Sequence, residues 1–269
     1  MKHALLITSL TLLMFFSSRE QGNNANAQNR VDIRLSTVLY GVDTVWKYTY
    51  TNNNQILEEK SKQRYTYYNY NEAGQLISMD VYEDWAMFSS NSAVIEASRI
   101  RTEWTNPENT EISHTTNYEY NAAGQLTKST NYLGSSIYSY DKKNRISRLT
   151  FHHDNNISNY FEFKYDRKGN LIERNGFQVF GSGEKALANK TLFEFDNKHN
   201  PYQAFHNLPV PGINTNPNNI IKTADIHFFM IEGVEDQTSS SEDSFKYNTQ
   251  GFPVTKNDRT KYLYEEYSY

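Results

Sequence analysis

Two stretches of the sequence combine side chains that could recognise or cut a carbohydrate. In the first, the carboxylates of Glu83 and Asp84 stand between the rings of Tyr82 and Trp85. Paired carboxylates perform glycoside hydrolysis, and an aromatic ring offers a stacking face for a sugar. The same residues could equally form the tip of a solvated hairpin, because a catalytic pair is defined by its separation in space. The sequence leaves both interpretations open.

The second stretch is a long irregular segment, residues 200–219, which holds four of the six prolines. Its candidate binding side chains are Tyr202, Phe205 and His206. Loops of this length without regular structure are usually functional or disordered. Proline stiffens the segment, so we expect its aromatic side chains either to cap an open end of the protein or to contact a ligand.

Other kinds of chemistry have no support in the sequence. The chain has no Cys, which excludes thiol catalysis, thiolate metal sites and disulfides. His152 and His153 are adjacent on a predicted strand and would point to opposite faces, so we predict no metal site. No glycine-rich phosphate loop and no G-x-S-x-G nucleophile motif occurs. We therefore expect no cofactor, and a protein without catalytic activity.

The charge balance argues against nucleic acid as a partner. The 27 basic residues are outnumbered by 31 acidic ones, which gives a net charge of −4. A phosphate backbone requires a basic surface that such a composition does not supply.

The amino terminus has the form of an export signal. Lys2 and His3 precede an apolar run over residues 4–16, and Ala25-Asn26-Ala27 supplies small residues around a cleavage site. This pattern predicts a signal peptide over residues 1–27 and a mature domain over residues 28–269. We expect that domain to be secreted, periplasmic or at the cell surface. A lipid anchor is not expected, because it would require a Cys.

One phrase recurs along the mature chain: aromatic, polar, aromatic, Asn or Asp, two further residues, then Gly. Strong copies cover residues 68–76, 118–126, 138–146 and 163–171, with weaker copies at 48–56, 193–201 and 245–253. The phrase is typical of a strand followed by a three-residue loop whose last residue has positive φ. Glycine or asparagine suits that position. The predicted turn residues are Gly74, Gly124, Asn144, Gly169 and Gly251, with Asn54 and a strained His199 in two weaker copies.

The turn geometry fixes which residues face each other across each hairpin. It predicts an aromatic residue opposite an aliphatic one. The predicted pairs are Tyr70 with Leu76, Tyr120 with Leu126, Tyr140 with Ile146 and Tyr165 with Leu171. We expect a single all-β domain, an antiparallel meander of about 14 strands that is curled or barrel-like. We also expect a hairpin around residues 89–92 and a mobile, solvated loop over residues 232–243.

The repeated phrase resembles the tyrosine-aspartate repeats of Rhs-type proteins, most closely at residues 165–171. The order of motifs is similar to that of a family of exported domains of unknown function from the Bacteroides group, described as porin-like in fold. The hairpin phrase, His199-Asn200-Pro201-Tyr202, Asn218-Asn219-Ile220 and residues 245–264 carry this second resemblance. It implies a porin-like fold and no catalytic residues.

Three functions follow as hypotheses. The first is a non-catalytic binding or structural protein that contacts a glycan or an envelope protein. The second is a glycan hydrolase or lyase that uses Glu83 or Asp84. The third is an outer-membrane β-barrel. Strands such as residues 56–64 carry charges on both faces, which argues against the third, because each lipid-facing Lys or Arg costs roughly 2–4 kcal/mol.

Overall fold

The protein is all-β, as predicted. The computed structural model describes residues 31–83, 111–154, 156–205, 208, 211–212, 215–229 and 234–268. These ranges hold 17 strands in one sheet and the 3₁₀ helix Gln203–Phe205. The strands are β1 (Val31–Tyr40), β2 (Asp43–Tyr50), β3 (Ile56–Lys60), β4 (Arg64–Tyr70), β5 (Leu76–Glu83), β6 (His114–Tyr120), β7 (Leu126–Asn131), β8 (Gly134–Tyr140), β9 (Ile146–His153), β10 (Asn156–Tyr165), β11 (Leu171–Val179), β12 (Lys185–Phe195), β13 (Ile220–His227), β14 (Gln237–Glu242), β15 (Phe245–Tyr247), β16 (Pro253–Lys256) and β17 (Thr260–Ser268).

The sheet is a curled meander. From β1 to β14, and again from β15 to β17, each strand pairs antiparallel with the next one in sequence. β1 also pairs antiparallel with β17. Strand pairing is interrupted at residues 243–244. β14, before this point, pairs with β13, and β15, after it, pairs with β16. The first and last strands therefore lie side by side in a sheet that is curled and not closed.

The predicted turn geometry is confirmed. The five predicted turn residues all have positive φ: Gly74 (75°), Gly124 (77°), Asn144 (63°), Gly169 (100°) and Gly251 (83°). Asn54 has φ of 56°. In each of these loops the amide of the first residue donates to the carbonyl four residues later, as Asn71 does to Gln75 at 3.0 Å. Asparagine therefore replaces glycine in the left-handed conformation at two of the turns.

The predicted register is also confirmed. Tyr70 lies opposite Leu76, and the same pairing joins Tyr120 with Leu126, Tyr140 with Ile146 and Tyr165 with Leu171. The polar residue before each ring is partly or fully exposed on the opposite face. The ladder shifts by one residue beside each turn, as it does between Asn69 and Tyr70. This bulge is the expected companion of a three-residue loop closed by a left-handed residue.

The core has two parts. One cluster gathers the buried side chains of Leu35, Tyr48, Ile56, Tyr68 and Leu76, among others. The other is formed by Leu126, Tyr138, Leu149, Phe163 and Leu171. The ring of Tyr118 packs against both clusters. Each strong copy of the phrase thus supplies two aromatic residues and one aliphatic residue to the core.

Two local expectations were wrong. His199 does not close a hairpin: its φ is not positive, and Phe195 pairs with Ile220 instead of with the nearby Pro201. Within the predicted loop at 232–243, residues Gln237–Glu242 form strand β14. This strand pairs with β13 although every one of its residues is exposed. The predicted hairpin around residues 89–92 lies outside the described residues. No helix in the described part of the chain is both long and apolar enough to cross a membrane.

Substitution of Gly124 tests the left-handed turn. We expect Gly124→Ala to lower the free energy of unfolding by about 1 kcal/mol, since a β-carbon is strained at φ of 77°. Gly124→Asn should cost less, because Asn144 and Asn54 hold the same conformation. Gly181→Ala is the matched control, because its φ is not positive and a β-carbon there meets nothing within 4 Å. Urea unfolding measures all three, and equal losses at positions 124 and 181 would contradict the assignment.

Candidate functional site

Tyrosine hydroxyls join successive hairpins at their turn ends. In five hairpins the tyrosine before the turn donates its hydroxyl to a main-chain carbonyl of the preceding strand, as Tyr120 does to Leu76 at 2.8 Å. Equivalent bonds, 2.5–2.8 Å long, join Tyr50 to Leu35, Tyr70 to Ile56, Tyr140 to Leu126, Tyr165 to Ile146 and Tyr264 to Pro253. We call these the tyrosine–carbonyl bonds. They hold the turns in a row along one end of the sheet.

Burial keeps these hydroxyls protonated. Desolvation raises the pKa of Tyr120 to about 12, and nearby Tyr140 adds to the effect. The pKa values of Tyr70 and Tyr165 are raised by the same cause. A protonated phenol is an O–H donor, so the tyrosine–carbonyl bonds persist at neutral and mildly alkaline pH.

Side chains that follow the turns link one turn to the next. The amide of Gln55 donates to the carbonyl of Gly74 at 2.7 Å, and Gln125 donates to the side-chain oxygen of Asn144. Arg145 donates to the carbonyl of Asp166 at 3.1 Å. These bonds and the tyrosine–carbonyl bonds together produce a row of equivalent turns with fixed spacing.

A groove of about 440 Å³ runs along this row. We call it the turn-row groove. Equivalent positions of successive hairpins line it, including Gln75, Gln125 and Arg145 after the turns and the rings of Tyr120 and Tyr140 before them. The guanidinium of Arg145 is paired with the carboxylate of Asp141 at 2.6 Å. Desolvation would raise the pKa of Asp141, but hydrogen bonds from Arg145 and from the Lys143 amide outweigh it and hold that pKa below its usual range. The groove therefore presents amides, tyrosines and a compensated charge.

Described residues of an insertion, residues 197–218, line one side of the groove. It separates β12 from β13 and contributes Leu208, Pro211 and Thr215 to the groove lining. Buried asparagines anchor it to the sheet. Asn216 accepts the Leu171 amide at 2.8 Å. The other anchoring bonds join Asn170 to Asn218, Asn200 to Asn216, and Asn219 to Asp196 and His199.

The aromatic candidates of the insertion pack into the core. Phe205 is 1% exposed, and its ring centroid lies 5.1 Å from that of Tyr48 and 5.4 Å from that of Tyr202. The ring of Tyr202 also contacts Tyr262 edge-on at 6.3 Å. These contacts make Tyr202 and Phe205 part of the first core cluster. Tyr202 also lines a cavity inside the protein. The third candidate, His206, lies outside the described residues.

Of the first candidate stretch, the structure describes Tyr82 and Glu83, which lie on opposite faces of β5. Tyr82 packs its ring against Tyr65 at 5.4 Å, whereas the carboxylate of Glu83 lies 3.7 Å from Arg64. Consecutive strand residues point to opposite faces, so the ring and the carboxylate are separated by the sheet. Asp84 and Trp85 lie outside the described residues. Among the residues that are described, no group of three or more His, Asp or Glu side chains could hold a metal ion.

One acidic side chain stands among the core tyrosines. Glu59 accepts the hydroxyl of Tyr68 at 3.0 Å. Burial raises the pKa of Glu59, while the Tyr68 hydrogen bond and Arg64 act in the opposite direction. The repeat pattern gave no sign of this residue, because the phrase fixes positions beside the turn and Glu59 lies at the far end of β3.

The fold and the row of turns define a class of all-β proteins built from repeated hairpins. Within it, residues 120–151 match the family described as RHS Repeat. No curated protein matches the chain. The matched segment covers one strong copy of the phrase, residues 138–146, and most of another, residues 118–126, which confirms the Rhs-like resemblance of the sequence.

Solved structures similar to this chain include the porin-like type that the sequence resemblance predicts. A porin-like protein from Bacteroides uniformis is 13% identical, with 86% of this chain and 98% of that chain covered and a TM-score of 0.41. A DUF3836 family protein from Parabacteroides distasonis is 14% identical over 40% of this chain and 91% of that chain, with a TM-score of 0.25. The Tc holotoxin pore of Photorhabdus luminescens is 15% identical over 79% of this chain, with a TM-score of 0.32. This chain covers 11% of that toxin chain.

Removal of one hydroxyl tests the tyrosine–carbonyl bonds. We expect Tyr120→Phe to lower the free energy of unfolding by about 1–2 kcal/mol, because it leaves the Leu76 carbonyl without its partner. Tyr132→Phe, at a ring that is 66% exposed, should change stability little. Urea unfolding compares the two, and equal effects would show that the hydroxyl bond contributes nothing specific.

The acidic group in the core predicts a pH dependence. The folded protein holds the proton of Glu59 more strongly than the unfolded chain does, so ionisation destabilises the fold as pH rises above the unfolded pKa of about 4.3. Glu59→Gln should therefore raise the unfolding temperature at pH 7. That gain should shrink as pH falls below about 4. The exposed Glu72→Gln is the control, and a gain that did not depend on pH would contradict the explanation.

Proposed function

We propose that this chain is a non-catalytic binding protein that acts outside the cytoplasm, and that its turn-row groove holds an extended glycan. The observation that carries the proposal is the repetition of lining residues along the groove. Successive hairpins are two strands apart, or roughly 10 Å, which gives a ligand regularly spaced contacts. A polymer with repeating units can use such a surface.

The chemistry of the lining favours a glycan over a peptide. Gln75 and Gln125 contribute amides, although that of Gln125 is already bonded to Asn144. Tyr120 and Tyr140 present ring edges and faces. The positive charge of Arg145 is already paired with Asp141. Neutral hydrogen-bonding groups beside aromatic rings suit neutral hydroxyl-rich chains. A peptide would more commonly add to the edge of a sheet, and the groove is formed by turns.

The location outside the cytoplasm rests on sequence. The charged start, apolar run and small-residue cleavage site of residues 1–27 are the supporting features. A secreted, periplasmic or surface-exposed protein would meet glycans in each of these places.

Obstruction of the groove tests the proposal. Wild-type protein is applied to an array of bacterial and host glycans and to a peptide array. Ala123→Arg places a long charged side chain in the groove lining and should reduce glycan binding by about tenfold or more. Ala73→Arg changes the equivalent exposed position of a neighbouring turn, outside the lining, and should bind as the wild type does.

Three results would contradict the proposal. They are binding to peptides only, absence of glycan binding by the wild type, and an equal loss for the two Ala→Arg variants. Thermal unfolding of both variants checks that the turns remain folded.

A further inference from the structure

A second cavity, of about 270 Å³, lies beside the first core cluster, with which it shares Tyr202, Phe245 and Tyr262. We call it the interior cavity. The insertion covers it on one side, and strands β11–β13 and β15–β17 provide the rest of its walls. It shares no lining residue with the turn-row groove. Any ligand here would therefore occupy a separate site.

One wall carries a row of polar side chains from three adjacent strands. Arg174, Thr191 and Asp225 are directly opposed across β11, β12 and β13. Arg174 Nη2 donates to Thr191 Oγ1 at 3.2 Å, and the Thr191 hydroxyl donates to Asp225 Oδ1 at 2.7 Å. These three side chains are polar groups of this wall.

The cavity has no excess charge. Lys256 Nζ lies 2.7 Å from Asp243 Oδ2, and both residues line the cavity with Arg174 and Asp225. Two positive and two negative groups balance one another. An ionic ligand would lose its hydration without gaining an uncompensated partner, so the lining favours a neutral ligand with its own donors and acceptors.

Aromatic rings supply the apolar surface. Phe193, Tyr202, Phe245 and Tyr262 all line the cavity. Rings of this kind offer flat faces and, in tyrosine, a polar edge. The volume equals that of roughly nine water molecules, which is enough for a single six-membered ring with hydroxyl substituents. We propose that the interior cavity binds one neutral polyhydroxylated ring, a monosaccharide.

Titration calorimetry with free sugars tests this site. The probes are D-glucose, D-galactose, D-mannose, N-acetyl-D-glucosamine, L-fucose and D-xylose, each titrated separately. We expect at least one to bind with a dissociation constant of about 1 mM or lower. Asp225→Asn retains the side-chain volume but removes the charge beside Thr191, and it should weaken binding by about tenfold.

A pair of glycine substitutions tests the location. A β-carbon on Gly212, which lines the cavity, meets nothing within 4 Å, so Gly212→Leu extends into open space and should abolish sugar binding. Gly181 is equally open and lies outside the cavity lining, so Gly181→Leu should bind sugar as the wild type does. Thermal unfolding of each variant shows whether it is folded. If Gly212→Leu fails to fold, Asp225→Asn still decides the outcome.

Several outcomes would overturn the proposal. The first is that no sugar in the panel binds. The second is that binding is unchanged in both Gly212→Leu and Asp225→Asn. The third is that L-glutamate and L-lysine bind while the neutral sugars do not. Ala123→Arg should leave monosaccharide binding intact, because position 123 lies in the other cavity. Failure at the turn-row groove and failure at the interior cavity are therefore separable.

Discussion

The rest of the architecture depends on the contacts of the tyrosine that precedes the turn in five of the hairpins. This tyrosine performs two tasks with one side chain. The ring packs opposite an aliphatic residue within its own hairpin, as Tyr120 does with Leu126, and its hydroxyl binds the carbonyl of the preceding hairpin. The first contact fixes the register and the second fixes the spacing between hairpins. A leucine or a phenylalanine could perform only the first task, which is a physical reason for tyrosine at the six positions that make this bond.

The turn ends of this fold could be predicted from sequence because their geometry is local. A positive φ at Gly124 and the pairing of Tyr120 with Leu126 both follow from a few consecutive residues. The departure at His199 shows the limit of that reasoning. Asp196 begins the same turn, but its amide donates to Asn219, so the return strand starts after the insertion. Nothing between Phe193 and Pro201 indicates that the partner strand lies so far along the chain.

The candidate sites also differ in whether they depend on consecutive residues or on residues far apart in the chain. The separation of Tyr82 from Glu83 follows from strand alternation and was accessible from the sequence. The interior cavity was not, because Arg174, Thr191 and Asp225 come from three strands and meet only through the register of the sheet. Strand β14 escaped prediction for a related reason. Its serine-rich sequence has no apolar alternation, and its order comes from main-chain pairing with β13.

The pairing of β1 with β17 has a kinetic consequence. Neighbouring hairpins bring together residues that are close in sequence, whereas the ion pair of Arg34 with Glu265 joins positions 231 residues apart. Loop-closure entropy makes such a contact slow to form. The hairpins can therefore assemble one after another before β1 pairs with β17. We therefore expect pairing of β1 with β17 to be the slowest step of folding in an otherwise short-range topology.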